Sequence, residues 1–443
     1  MLVFPVLLFL LTIILRLVWS LYWNAMCLAP GAMGWPIVGD TIPFVSNMRS
    51  FLRERHAKYG PIFKTHLLGS PTIVVSSIDD AKMVLLGENA LVEMQLMKPI
   101  HCLMESTILT QHGATHRHRR RLFLSAMTPD KLADFVPMAA SLVAQEIATW
   151  PFDTPFDVFP SVHRLVFRLS QTILFGEFFP ELASKLYPLF VSFNAGMVAL
   201  PINLPFTPYG RAVRARQRLE QLFEDLITSK AQHGGLFGTL IADDAISNAE
   251  VCAQSILALL AGYETASSTI NIVTNTLARY PDVLERIWNE NEVVEEWSSK
   301  SIKSMSVLDS AIKESMRLFP TSPIAGRVAK KAFLTSTGIE IPKDWQIFVG
   351  LDALATMFTN HPAEFDLDRW LQRKDMPNRW ESLPFGGGAR ECVGSELGLL
   401  IVKLVVLEMT QRFRWCLTTP DQPISKHSAM LILSSRKEIH SNI

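Results

Sequence analysis

The chain has 443 residues, 49% of them hydrophobic, with 42 Lys and Arg against 42 Asp and Glu. That balance excludes a polybasic nucleic-acid surface, and no nucleic acid is expected as a partner. Five cysteines, odd in number and scattered at 27, 102, 252, 392 and 416, exclude a disulfide framework and fit a reducing compartment.

No repeat, Gly/Ser tract or charge block marks an internal linker. The expectation is one large domain over residues 30–443 behind an N-terminal segment, residues 1–29. Residues 2–15 are apolar apart from Thr12, and residues 17–23 continue the run beyond Arg16. The stretch reaches the length of about 20 residues that a bilayer needs if Arg16 snorkels. Trp19, Tyr22 and Trp23 suit an interfacial belt. A cleaved signal and a core helix are the alternatives. No basic region precedes the apolar run, and Pro30, Gly31 and Pro36 follow it, which favours a retained membrane anchor and a stiff hinge over 30–39.

Residues 48–59 and 78–86 have helical period, and 62–65 with 72–76 read as a β-hairpin around Gly69. Residues 88–110 are irregular, with Met94, Met97 and Met104 scattered through them, and read as a surface loop or a pocket cover. His112, His116 and His118 suggest a metal, but further Cys or His ligands at zinc spacing are missing nearby. His116 and Arg120 share a helix face, while Arg117, Arg119 and Arg121 read as a solvated basic face. Helices are expected over 131–150 and 162–174. Pro201, Pro205 and Pro208 then precede a basic amphipathic helix, 211–227.

Ser247-x-x-Glu250 is a capping-box pattern. It opens an apolar helix that runs to Tyr280 and stops at Pro281, a span of roughly 50 Å. Ala261-Gly262-Tyr263-Glu264-Thr265 lies in its middle. An acid and a threonine are costly there if buried unpaired. Together they can relay protons; the alternative is a local kink in which Thr265 bonds its own backbone. Gly262 leaves room for a bulky neighbour. A helix over 307–318 puts Glu314 and Arg317 on one face, ordinarily a surface pair worth little. Pro323, Ile324, Ala325, Gly326 and Arg327 lead into short β segments.

Phe385-Gly386-Gly387-Gly388-Ala389-Arg390-Glu391-Cys392-Val393-Gly394 is hard to explain by packing alone. Glycines let backbone approach something flat, and Arg suits a carboxylate. Cys392 stands just before an apolar helix, 397–409, whose N-terminus favours a thiolate. A buried structural cysteine beside a turn is the alternative. The better reading is a metal-ligating thiolate beneath a flat macrocycle, haem.

Phe385-x-x-Gly388-x-Arg390-x-Cys392-x-Gly394 resembles the haem-ligand signature of the cytochrome P-450 monooxygenases. The resemblance implies a mainly α fold with small β-sheets, a long central helix over haem and the cysteine loop beneath. It implies haem b with Cys392 as the iron's axial ligand, dioxygen as co-substrate, and NADPH electrons delivered through a reductase. Glu264 and Thr265 would supply protons to iron-bound dioxygen. Arg327, Arg390, His116 and Arg120 would hold the haem propionates, and Ala261 with Pro323, Ile324, Ala325 and Gly326 would line the substrate pocket. Glu314, Arg317 and Arg369, the last within Phe365-x-x-x-Arg369, would form a structural network under the haem loop.

Further resemblances lie in Gly34-Trp35-Pro36-Ile37-Val38-Gly39, Tyr59-Gly60-Pro61-Ile62-Phe63-Lys64-Thr65-His66, Leu85-Leu86-Gly87-Glu88, Ile341-Pro342-Lys343-Asp344-Trp345 and Phe358-Thr359-Asn360. They are similar to the retinoic acid hydroxylases and their clan. These imply hydroxylation of a hydrophobic small molecule, a retinoid first, with a sterol or terpenoid as the alternative. A haem-thiolate isomerase and a non-catalytic haem sensor are the rivals by chemistry. The implied partners are an NADPH-cytochrome reductase steered by the basic face, and membrane lipid, with the anchor in the endoplasmic reticulum and the haem domain facing the cytosol.

Overall fold

The computed structural model describes residues 3–229, 234–292, 296–356, 361–372, 379–380 and 382–435, with side chains from Ile13 onward. Phe358-Thr359-Asn360 lies outside the described residues. The chain forms two compact units, one of Met1–Met97, Ser322–Glu364 and Met376–Cys392, the other of Lys98–Thr321, Phe365–Asp375 and Val393–Ile443.

The first unit is built on a five-stranded sheet. Its strands run in the order Ile62–Leu67, Ser70–Val75, Gln346–Gly350, Ile324–Ala329, Val92–Met94. Leu68 (φ 54°) and Gly69 (φ 82°) make the two-residue turn of the expected hairpin, because positive φ at both positions matches strand twist. Both faces of the sheet are covered. Ile62, Ile73, Val75, Ile347 and Val349 point into one cluster, while Phe63, Val74 and Phe348 point into another with Phe44 and Phe51. Strands buried on both faces read as continuous apolar runs rather than alternating ones.

The N-terminal helix, Val3–Met26, lays Trp19 and Trp23 on the first of these clusters. Their rings meet each other, His66 and Trp345 edge-on or tilted at 5.1–6.0 Å. So two members of the expected interfacial belt are packing residues instead; only Tyr22 of the three stays exposed, with Leu17, Val18 and Leu21. The Arg16 guanidinium lies 4.3 Å from the Trp35 ring centre.

The second unit is helical around Asn248–Leu277, with Val158–Phe175, Pro208–Thr228, Ser306–Leu318 and Ser395–Arg412 among the helices packed on it. Its small sheet pairs Met430–Ser435 with Pro155–Asp157 and Phe413–Leu417. Among the described residues, Asn248–Leu277 is the helix long and apolar enough to cross a membrane, and it is mostly buried, as a core helix is.

Two local expectations change, and one further helix tolerates a proline. Residues 88–110 hold a strand, Val92–Met94, and a short helix, Lys98–Leu103. Pro180–Met197 is a helix although Pro188 sits inside it and breaks its hydrogen-bond ladder. The capping box forms only by half. Ser247 Oγ accepts from the Glu250 N–H at 3.3 Å, but the Glu250 carboxylate turns to Arg119.

Candidate active site

The cysteine loop is held by its own backbone. The Cys392 N–H donates to the Phe385 carbonyl at 3.0 Å, and the Glu391 N–H to the Gly388 carbonyl at 3.1 Å. The Cys392 thiol ends up exposed, whereas Cys27 and Cys252 are buried. Burial pushes the Cys252 thiol up to about 12, helped by Glu224, and raises Cys27 as well. Neither forms a thiolate readily. Cys392 stands three residues before Ser395–Arg412, with Gly394 at the cap position of that helix.

The glycines divide by cause. Gly388 has φ 72°, and a Cβ there would lie 2.1 Å from the Leu85 carbonyl oxygen. Its need is therefore met by the protein's own Ile78–Leu86 helix and not by a flat partner. At Gly386 (φ 71°) and Gly394 an added Cβ meets nothing within 4 Å, which leaves the loop's outer surface clear.

Arg327 and Arg390 converge on one carboxylate. Glu88 Oε1 accepts from Arg390 Nε at 2.8 Å, and Glu88 Oε2 lies 3.1 Å from Arg327 Nε. All three side chains are at most 3% exposed. Burial pulls the Arg327 guanidinium down; Glu88 opposes this, and the neighbouring Arg390 adds to it. Glu88 carried no site signal in the sequence, since it lies 302 residues from Arg390. Pro323 accepts from the Leu351 and Asp352 N–H groups, and Ile324, Ala325 and Gly326 open the strand to Arg327, partly exposed. A Cβ on Gly326 would lie 2.5 Å from the Gln95 carbonyl oxygen.

In the second unit the central helix is buried on most sides. Ala261 and Thr265 are exposed, with Ala258 and Gly262 partly so. Spacings of three and four put these residues on one face. Thr265 Oγ1 donates to the Ala261 carbonyl at 2.7 Å, so the backbone-bonded alternative is realised; the same oxygen keeps lone pairs that can accept. What approaches Gly262 is Ser170, whose Oγ lies 3.0 Å from where a Cβ would stand.

Glu264 turns to the flank of this face. Its Oε2 is 3.0 Å from His163 Nε2, and His163 Nδ1 is 2.9 Å from the Tyr187 hydroxyl. Burial alone would raise the Glu264 carboxyl. The His163 hydrogen bond, the His163 and His427 charges and the Asn194 amide outweigh that and hold it below its ordinary value.

His116 is buried and Arg120 partly buried on Gly113–Ser125. Arg117 and Arg121 are exposed as expected, but Arg119 is not a solvated residue. It is 6% exposed and donates to both Glu250 oxygens, at 2.5 and 2.9 Å. Arg119 stands three residues after His116, one helix turn along the same buried face, so the period places it with His116 and not with Arg117 and Arg121.

Glu314 is fully buried and accepts from Arg317 Nε and Nη2 (2.8 Å each), Arg369 Nε (3.1 Å), Trp370 Nε1 (2.8 Å) and the Asp366 N–H (3.1 Å). Trp370 and the Asp366 amide are additions that helix spacing could not reveal.

These residues fit a haem. The donor set offers one exposed thiol on a loop with a clear outer surface, two buried guanidinium groups suited to carboxylates, and a helix face left uncovered at Ala261 and Thr265.

The cytochrome P450 family model matches residues 29–441. Cytochrome P450 26A1 of Danio rerio is 31% identical over 88% of this chain and 86% of its own length. Cytochrome P450 26B1 of the same organism is 30% identical over 91% and 86%. The solved structure of retinoic-acid-bound cyanobacterial CYP120A1 matches with TM-score 0.84 and 28% identity, over 92% of this chain and 99% of that one. The chain therefore belongs to the cytochrome P450 family, and is a haem-dependent monooxygenase that uses dioxygen and electrons from NADPH through a reductase.

Proposed function

We propose that this cytochrome P450 hydroxylates a retinoid. The observation that carries the reading is the likeness, in sequence and fold over nearly the whole chain, to a solved structure that holds retinoic acid.

Haem, when bound, would supply the oxidising chemistry for hydroxylation of a C–H bond by dioxygen. The chain's residues do the rest. Cys392 would hold the haem iron through its thiolate. Arg327, Arg390, His116 and Arg120 bind the propionates, and Phe385, Gly388 and Gly394 shape the loop. Glu264 and Thr265 would hold and pass protons. Ala261, Pro323, Ile324, Ala325 and Gly326 line the substrate space, and Glu314, Arg317 and Arg369 brace the haem loop. Both compact units belong to one haem domain, in keeping with a family match that spans them.

The exposed Arg117 and Arg121 steer an acidic reductase. The N-terminal helix and the exposed apolar residues Val198, Leu200 and Phe206 enter lipid of the endoplasmic reticulum, with the haem domain in the cytosol.

The test is titration of the haem-loaded protein with retinoids, sterols and terpenoids, followed by the haem absorption shift. Retinoic acid is expected to give a saturable shift and a hydroxylated product carrying oxygen from labelled dioxygen. A shift with sterols or terpenoids and none with retinoids overturns the substrate assignment.

A further inference from the structure

Glu264 is flanked by two imidazoles from different parts of the chain. His163, from Val158–Phe175, is mostly buried and holds Oε2 at 3.0 Å. His427, from the connection before Met430–Ser435, has its Nδ1 3.9 Å from Oε1, and its side chain is 61% exposed. One carboxylate oxygen thus faces an anchored ring and the other faces a ring in contact with water.

The anchoring of His163 is thorough. Tyr187 bonds its Nδ1, while Phe159 and Tyr263 pack on the ring at 5.1 and 4.8 Å between centres. Tyr263 is fully buried, and its hydroxyl has no hydrogen-bond partner. Burial, with Glu264 and Tyr187 adding to it, drives that phenol far above its ordinary range, so it neither gives nor takes a proton here. His427 lacks such a cage. It touches Phe159 edge-on at 5.4 Å. Its neighbour Ser428 is bonded to Asp157, and its neighbour Lys426 to the Thr321 carbonyl. The other groups that face the carboxylate are Asn194 and, through Tyr187, Arg164.

We propose that His427 carries protons from solvent to Glu264, and that His163, fixed by Tyr187, is the positioning residue that keeps the carboxylate turned to receive them. The inference rests on the reading above that Glu264 and Thr265 supply protons for the reaction. In the step, the His427 N–H bond breaks and the proton passes to Oε1. The neutral imidazole is reprotonated by water, and Glu264 hands its proton on beside Thr265. The 3.9 Å gap closes to hydrogen-bond distance with about 1 Å of side-chain movement, and catalytic hydrogen bonds are commonly long before substrate is bound. His163 cannot be the carrier: both its nitrogens are engaged, and its ring is caged.

The test uses the full-length haem-loaded protein with an NADPH-linked reductase. Peroxide released and product formed per NADPH are measured across pH, with all-trans retinoic acid and again without substrate. His427→Gln is expected to raise the peroxide-to-product ratio by about tenfold, below the usual range for a positioned acid because water can partly substitute. His427→Lys, which keeps an N–H donor at this position, should recover coupling. His163→Leu is expected to uncouple the enzyme, and His163→Gln, which keeps an N–H for Oε2, to recover most coupling. In thermal unfolding His427→Gln should leave the midpoint unchanged, while His163→Leu and Glu264→Gln should be non-additive. If His427→Gln keeps the wild-type coupling and pH profile while Glu264→Gln uncouples, the relay is wrong and the acid's role stands. If Glu264→Gln itself leaves coupling unchanged, the underlying reading falls, and the relay with it.

Discussion

Glu314 shows what a single buried charge does in this molecule. Five donors surround its carboxylate, so truncation leaves Arg317 buried without its counter-ion. Glu314→Ala is expected to cost roughly 3–5 kcal/mol, read as a lower denaturation midpoint. Burial would raise its carboxyl, but the Arg317 hydrogen bonds and charge, with Trp370 and the Asp366 N–H, hold it below the ordinary 4.5. A folded pKa below the unfolded one stabilises above the unfolded value and is lost as pH falls through the folded value. Acid unfolding of the wild type should therefore steepen below pH 4.5, and Glu314→Gln should flatten that part of the curve. At Cys392, replacement by Ala should abolish the red-shifted absorption band of the reduced, CO-treated protein; a band that survives overturns the ligand assignment. Gly388→Ala places a Cβ against the Leu85 carbonyl at φ 72° and is expected to lose about 1–3 kcal/mol of stability together with haem content.

The central helix is where element-level packing decides. Spacing identified its length and polar pair, but Gly262 serves the approach of Val158–Phe175 through Ser170. Ser170 Oγ is buried and unpartnered, so it can swing aside from a methyl. Gly262→Ala is expected to be close to neutral, because about 1 kcal/mol of helix propensity offsets the displaced hydroxyl. Gly262→Leu should cost about 1–3 kcal/mol through overpacking. Equilibrium unfolding of the apoprotein separates this from a role in haem binding, which would lower haem content with Ala and leave the apoprotein's stability alone. The start of the same helix depends on Ser247 as cap, and Ser247→Ala should cost about 1 kcal/mol.

For the whole molecule, the exposed apolar groups matter most. Val198, Leu200, Ile202, Leu204 and Phe206 are all exposed and follow one another closely between two helices of the second unit. Leu200→Asp with Phe206→Asp is expected to lower partitioning onto phospholipid vesicles severalfold, without changing the thermal midpoint. Unchanged partitioning would remove this segment from the proposed lipid contact.

By itself the sequence determined the cysteine loop, the acid–threonine pair on a long apolar helix, the Glu314–Arg317 spacing and the first hairpin. Each of these lies within one element or one turn, where covalent spacing dictates which side chains share a face. Only the tertiary structure decided that Glu88 joins Arg327 to Arg390, that Arg119 is buried on Glu250, that Trp19 and Trp23 pack on the sheet, and that two histidines flank Glu264. Those partners come from separate elements, Glu88 and Arg390 being 302 residues apart. Periodicity along the chain carries no information about which face of another element will meet them. Burial then turns each such meeting into a requirement, since a charge taken out of water must find its counter-charge or hydrogen bond.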